Sequence, residues 1–184
     1  MVIQRRKLLH AGLALFGAAG AASLGAPALA FPERDVRRLA FANLHTGEKL
    51  SVAYWEQGGY VPDALAAVNK VLRDFRTGEV HPIEPRLLDL LVALSGKVER
   101  KEAFEVISGY RSPATNAALH EKSSGVASHS LHMEGKAIDI RLATVGLTPL
   151  RDAALALDVG GVGYYPTSDF VHVDVGRVRR WNGA

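Results

Sequence analysis

The chain contains no cysteine, which excludes thiolate zinc sites, iron–sulfur clusters, disulfide scaffolds, cysteine nucleophiles and lipid anchors on sulfur together. Any metal must be held by His, Asp or Glu. Aromatic residues make up only 7% and charged residues 22% of the 184 positions, unlike a disordered polyelectrolyte or a coiled-coil polymer. Acidic residues are missing from the first thirty positions, where Arg5, Arg6 and Lys7 are the only formal charges. Three of the 22 basic residues lie there, so the remainder carries 19 of each sign. The net charge of +3 therefore belongs to the leader, and no positive stripe for nucleic acid is expected. No G-x-S-x-G elbow supports a serine hydrolase, although one built on Ser108 remains as a minor alternative. What is present is a 48% apolar content, enough for one compact core and too little chain for a second module.

Arg5-Arg6-Lys7 precedes a Gly/Ala-rich stretch, residues 8–30, that contains Leu13, Leu15 and Phe16 and ends Ala28-Leu29-Ala30. This is the order of an export signal, a positive start followed by an apolar run and a small-residue cleavage site. The arginine pair points to the twin-arginine route. Pro27 and the mild hydropathy make a poor spanning helix, so no stable membrane insertion is expected after signal removal. The expected organisation is a signal over residues 1–30 and one domain over residues 31–184, working as a monomer in the periplasm.

Alternation predicts strands over residues 36–43 and 49–54 around a turn at His45-Thr46-Gly47. A helix is predicted from Pro62, with Leu65, Val68, Leu72 and Phe75 on one face, and a second from Pro85 with Leu87, Leu88, Leu91 and Leu94. The second half turns to short β-branched strands at residues 104–108, 137–141, 161–165 and 170–175, with a helix over 150–157. Partial segregation of helices and strands predicts a single-domain α+β fold with a mostly antiparallel sheet and packed helices.

Within Ala137-Ile138-Asp139-Ile140-Arg141, the period of two turns both isoleucines to one face and Asp139 to the other. Within residues 170–175 the three valines share a face, leaving His172 and Asp174 opposite. His132 lies seven residues before Asp139, across a loop with Glu134 and Gly135 that would fold it back beside the carboxylate. Two imidazoles and one carboxylate, with no thiol, suit a catalytic zinc site of three protein ligands and one open position.

The residues Ser130-x-His132-x-x-Gly135-x-Ala137-x-Asp139, the downstream His172, and Ser108-Gly109-Tyr110-Arg111-Ser112 with Asn116 resemble the zinc peptidases that cut cell-wall peptides containing D-amino acids. Those are relatives of the D-Ala-D-Ala dipeptidases and phage L-alanyl-D-glutamate endolysins, on a fold shared with hedgehog domains. The likeness is strongest to the murein endopeptidase K branch. It extends through residues 43–48, Arg73-Asp74-Phe75-Arg76 and residues 160–166.

The resemblance implies that His132, Asp139 and His172 bind one zinc ion per chain and that Arg111 holds the substrate carbonyl or a terminal carboxylate. It implies for Ser130 either a hydrogen bond to substrate or a role in shaping its loop. Tyr165 is a candidate aromatic contact for substrate. For the general base, some relatives carry a carboxylate three residues before the last histidine, where this chain has Asp169; others carry a histidine two before it, where this chain has Phe170. Asp174 competes with Asp169 as base, or orients an imidazole instead. The implied substrate is a peptidoglycan stem peptide, through the L,D-type bond between two meso-diaminopimelate residues. A non-catalytic zinc-containing wall-binding or signalling module on the same fold is the alternative. Arg177, Arg179 and Arg180 near Trp181 are expected as a solvated basic tail.

Overall fold

A computed structural model describes residues 36–122 and 126–183. The expected export signal, residues 1–30, lies outside these residues. The first hairpin pairs β1 (Arg37–Asn43) with β2 (Lys49–Glu56), and β2 continues into a short edge strand, β3 (Gly59–Tyr60). Two helices follow, α1 (Pro62–Val71) and α2 (Pro85–Lys97), each with proline in its first turn as the sequence predicts. Then come β4 (Phe104–Ser108), α3 (Pro113–Lys122), β5 (Ala137–Arg141), α4 (Leu147–Leu155), β6 (Gly161–Tyr165), β7 (Phe170–Asp174) and β8 (Arg179–Asn182).

All eight strands form one sheet in the order β3-β2-β1-β4-β5-β7-β6-β8. Only the β1–β4 and β6–β8 pairings are parallel. The α+β expectation is met. One face of the sheet carries Leu39, Phe41, Ile138, Ile140, Val171 and Val173, which pack with Leu87, Leu88, Leu91 and Leu150 of the helices in a single core. At roughly 25 cal/mol per Å² of apolar surface removed from water, that layer is the main force holding the sheet flat against its helices. The other face is left free for polar side chains.

Three elements differ from the sequence expectation. Helix α1 ends at Val71 instead of running to Phe75, because Asp74 turns the chain: its side chain accepts from the Arg76 amide and its carbonyl from the Gly78 amide. Phe75 is thereby released to stack on His45 at 3.9 Å. Helix α3, expected to end at His120, runs on to Lys122 and buries Thr115 and Asn116 instead of an apolar stripe. Residues 179–182, expected as a tail, form β8 beside β6. Among the described residues no helix is long and apolar enough to cross a membrane.

Candidate functional site

Strand register sets one row of residues across the polar face of the sheet. Ser108 of β4 pairs with Asp139 of β5, Asp139 with His172 of β7, His172 with Gly163 of β6, and Gly163 with Trp181 of β8. His132 comes from outside the sheet, on a single 3-10 turn (Leu131–Glu134) before β5. The Ser130 hydroxyl caps that turn by accepting from the His132 amide at 3.4 Å. Gly135 ends it at φ 65°, where a Cβ would stand 2.1 Å from the Pro82 carbonyl oxygen, so the loop back to β5 needs glycine there.

His132, Asp139 and His172 are all buried, and their donor atoms lie within 4.8 Å of one another. Asp139 Oδ1 is 2.8 Å from His172 Nδ1 and 3.2 Å from His132 Nε2, and the two nitrogens are 3.2 Å apart. The outer ring nitrogens fix which tautomers point inward. His132 Nδ1 donates to the Gly109 carbonyl at 2.7 Å, leaving a lone pair on Nε2. His172 Nε2 donates to Asp174 Oδ2 at 3.0 Å, leaving a lone pair on Nδ1. Three lone pairs therefore converge. A tetrahedral ion with bonds of about 2.0–2.1 Å spaces its ligands by roughly 3.3 Å, so the donor set and its spacing fit a small divalent metal. Among the described residues no fourth His, Asp or Glu joins the group.

The electrostatics agree with a cation site. Burial pushes the His132 imidazole below its ordinary range, toward the neutral form that ligates. Burial alone would raise the Asp139 carboxyl, but the two histidines outweigh it and hold the group far below the usual carboxylate range. Burial would likewise lower His172, yet the carboxylates of Asp139 and Asp174 on either side of the ring outweigh it and raise the imidazole. A metal held by His172 would take the place of the proton those carboxylates favour.

Above the three donors opens a cavity of about 490 Å³. Arg111 lines it on one side, on the loop after β4, where its amide donates to the His132 carbonyl at 3.2 Å. Its guanidinium is thinly bonded: 3.3 Å to Asp139 Oδ2, 3.5 Å to Ser108 Oγ and 3.5 Å to Asn116 Oδ1, while Nε has no partner among the described residues. The long bonds of the two terminal nitrogens are the ones a ligand could displace, since Nε is itself buried. Tyr165 and Phe170, ring-stacked at 4.4 Å, and Trp181 form the opposite wall. Ser130 lines the rim.

The two candidate bases stand differently. Asp174 is fully buried, and its oxygens accept from the Gly161 and Gly176 amides, His172 Nε2 and both terminal nitrogens of Arg179. Burial would raise its carboxyl, but these donors outweigh it and hold the group well below the ordinary range. Asp169 sits in the turn before β7 at φ 57°, more than half exposed, with one carboxylate oxygen paired to Arg141, which also holds Glu105. Its neighbours Ser168 and Phe170 line the cavity, but its own side chain does not.

Arg179 and Trp181 were expected in a solvated tail, and that expectation is corrected: both line the cavity. The signal was the alternation Arg179-x-Trp181 after a glycine-bounded turn, masked by the three neighbouring arginines.

A buried cluster of two histidines and an aspartate on a mostly antiparallel sheet is the arrangement that the motif resemblance implies for a single-metal peptidase. The family model described as peptidoglycan L,D-endopeptidase MepK matches residues 32–181. The chain is 43% identical to peptidoglycan L,D-endopeptidase MepK of Escherichia coli (strain K12) over 179 residues, covering 96% of each chain, and to that of Shigella flexneri to the same extent. It is 45% identical over 148 residues, 80% of each chain, to the probable peptidoglycan L,D-endopeptidase MepK of Haemophilus influenzae. The chain belongs to the peptidoglycan L,D-endopeptidase MepK family, which bears out the resemblance read from its motifs.

Proposed function

We propose that this protein is a zinc-dependent murein endopeptidase that hydrolyses peptidoglycan cross-links, at the L,D-type bond between two meso-diaminopimelate residues. The convergence of three inward lone pairs from His132, Asp139 and His172 carries the reading. Membership in a family named for that activity supports it. The export-signal pattern of residues 1–30 supports a periplasmic site of action reached by the twin-arginine route.

When bound, zinc supplies Lewis acidity and a water acidified from its bulk value to near neutrality. The chain's own residues do the rest. Arg111, whose terminal nitrogens make only long bonds of 3.3–3.5 Å beside the cavity, stabilises the substrate carbonyl oxygen, where negative charge grows as the carbonyl carbon becomes tetrahedral. Asp174, saturated by five donors, keeps the His172 ring fixed and does not move protons. Asp169 is the candidate proton acceptor, with one carboxylate oxygen not engaged by Arg141, but its side chain stands outside the cavity, so the role requires the turn before β7 to carry it inward when substrate binds. Ser130, Tyr165 and Phe170 line the path of the peptide, with Ser130 also capping the turn that carries His132.

The test is incubation with cross-linked muropeptides, with and without a chelator, followed by mass spectrometry of the products. Metal-dependent cleavage of the diaminopimelate–diaminopimelate link is expected. Undiminished cleavage after metal removal overturns the mechanism, and no cleavage by the fully metallated protein favours a wall-binding module.

A further inference from the structure

The last strand was not expected to touch the site, yet it crosses a whole neighbouring strand to do so. Register places Arg179 opposite Gly161 and Trp181 opposite Gly163 on β6, and Gly163 in turn opposite His172 on β7. A Cβ on Gly161 would stand 2.5 Å from both the Arg179 guanidinium and the Asp174 carboxylate, and one on Gly163 2.6 Å from the Trp181 indole. The absence of side chains at Gly161 and Gly163 is what lets β8 reach across β6 to β7.

Arg179 uses that opening to grip Asp174 with two parallel bonds, Nη1 to Oδ1 at 3.1 Å and Nη2 to Oδ2 at 2.7 Å. The same Oδ2 accepts from His172 Nε2. Two-point pairing of a planar fork with a carboxylate fixes the rotation of the carboxylate as well as its position, which a single ammonium cannot do. The fork is itself held, by a 3.1 Å bond to the Arg177 carbonyl and by the Trp181 ring 4.9 Å beneath it. Trp181 is anchored in turn through its Nε1, which donates to the Tyr165 hydroxyl at 2.8 Å, and its ring lies 5.1 Å from the His172 ring.

We propose that Arg179 is a positioning residue of the metal centre, locking the Asp174 carboxylate so that the Nδ1 lone pair of His172 faces the other two donors. This role rests on the zinc reading above. A plain edge-strand ion pair would stabilise the fold without altering the metal. A positioning group alters the metal itself, because outer partners of ligating histidines set ring orientation and donor strength.

The experiment measures zinc affinity by chelator competition and the visible absorption of the cobalt-substituted protein for the wild type, R179M, R179K and R180M. Arg180 is the control, an exposed cation of the same strand. R179M is expected to lose about tenfold in affinity and to shift the cobalt spectrum, since outer-partner changes cost roughly 10–100-fold in metal affinity. R179K, which keeps the charge but not the fork, should fall between R179M and the wild type, and R180M should match the wild type. Equal affinity and spectra for R179K and the wild type overturn the proposal, as does an R180M loss as large as that of R179M. If R179M does not fold, R179K alone decides, with the melting temperature of its metal-free form as control. A wild type that holds no zinc overturns the zinc reading and this proposal with it, whereas tight wild-type binding with unaltered Arg179 variants overturns only the proposal.

Discussion

His132 and His172, forty residues apart in the chain, turn ring nitrogens toward each other at 3.2 Å with Asp139 Oδ1 between them. With both outer ring nitrogens donating away, the two inner lone pairs and the Asp139 carboxylate face one another, a set that a divalent cation satisfies together. Metal should therefore stabilise the fold. At a free zinc concentration of 100 times Kd the gain is about 2.7 kcal/mol, read as a rise in melting temperature. His172→Ala should abolish that rise and leave the dialysed protein without bound metal.

Exchanging Arg111 for Lys keeps a positive charge beside Asp139 but removes the donors that the cavity exposes. Loss of one oxyanion donor costs about 10²–10³-fold in kcat. The variant should show a loss of that size with zinc content unchanged, measured by muropeptide turnover and elemental analysis on the same sample.

Asp169 and Asp174 separate by their effects on metal and rate. Asp174→Asn should weaken zinc binding by about 10–100-fold, because the carboxylate that holds His172 Nε2 is lost. Asp169→Ala should leave zinc affinity intact and lower kcat by about 10²–10⁴-fold, the range of a general base. Loss of turnover at unchanged metal affinity in Asp174→Asn, with Asp169→Ala fully active, would reverse the two assignments.

Acid stability has a source away from the metal. Burial would raise the Asp74 carboxyl, but hydrogen bonds from Thr115, from the Ser112 hydroxyl and amide and from the Arg76 amide hold it at about 2. A depressed folded-state value contributes stability that is complete above the ordinary carboxylate range and disappears as pH falls toward 2. The difference from an unfolded value near 4 corresponds to about 2 kcal/mol. Urea unfolding of the wild type should weaken between pH 4 and pH 2, and Asp74→Asn should flatten that part of the profile.

The strands bearing the metal ligands were legible because a period of two needs only five residues to declare itself, as in Ile138-Asp139-Ile140 and Val171-His172-Val173. His132 was suggested by its seven-residue spacing to Asp139 across a loop with Gly135, and the motif resemblance strengthened it. The early end of α1 was illegible because it is set by polar contacts, through Asp74 to its own turn. Arg179 was illegible for a different reason. Its meaning lies in two glycines on another strand, and register between strands cannot be read from either strand by itself.

The Gly109 carbonyl and the Asp174 carboxylate hold the two ligating rings from behind, through contacts the chain itself supplies. Those contacts restrict both rings in the folded chain and so reduce the ordering entropy that coordination has to overcome. A centre of this kind should empty and refill reversibly under native conditions, and amide hydrogen exchange in β5 and β7 should slow on loading by the same free energy that raises the melting temperature.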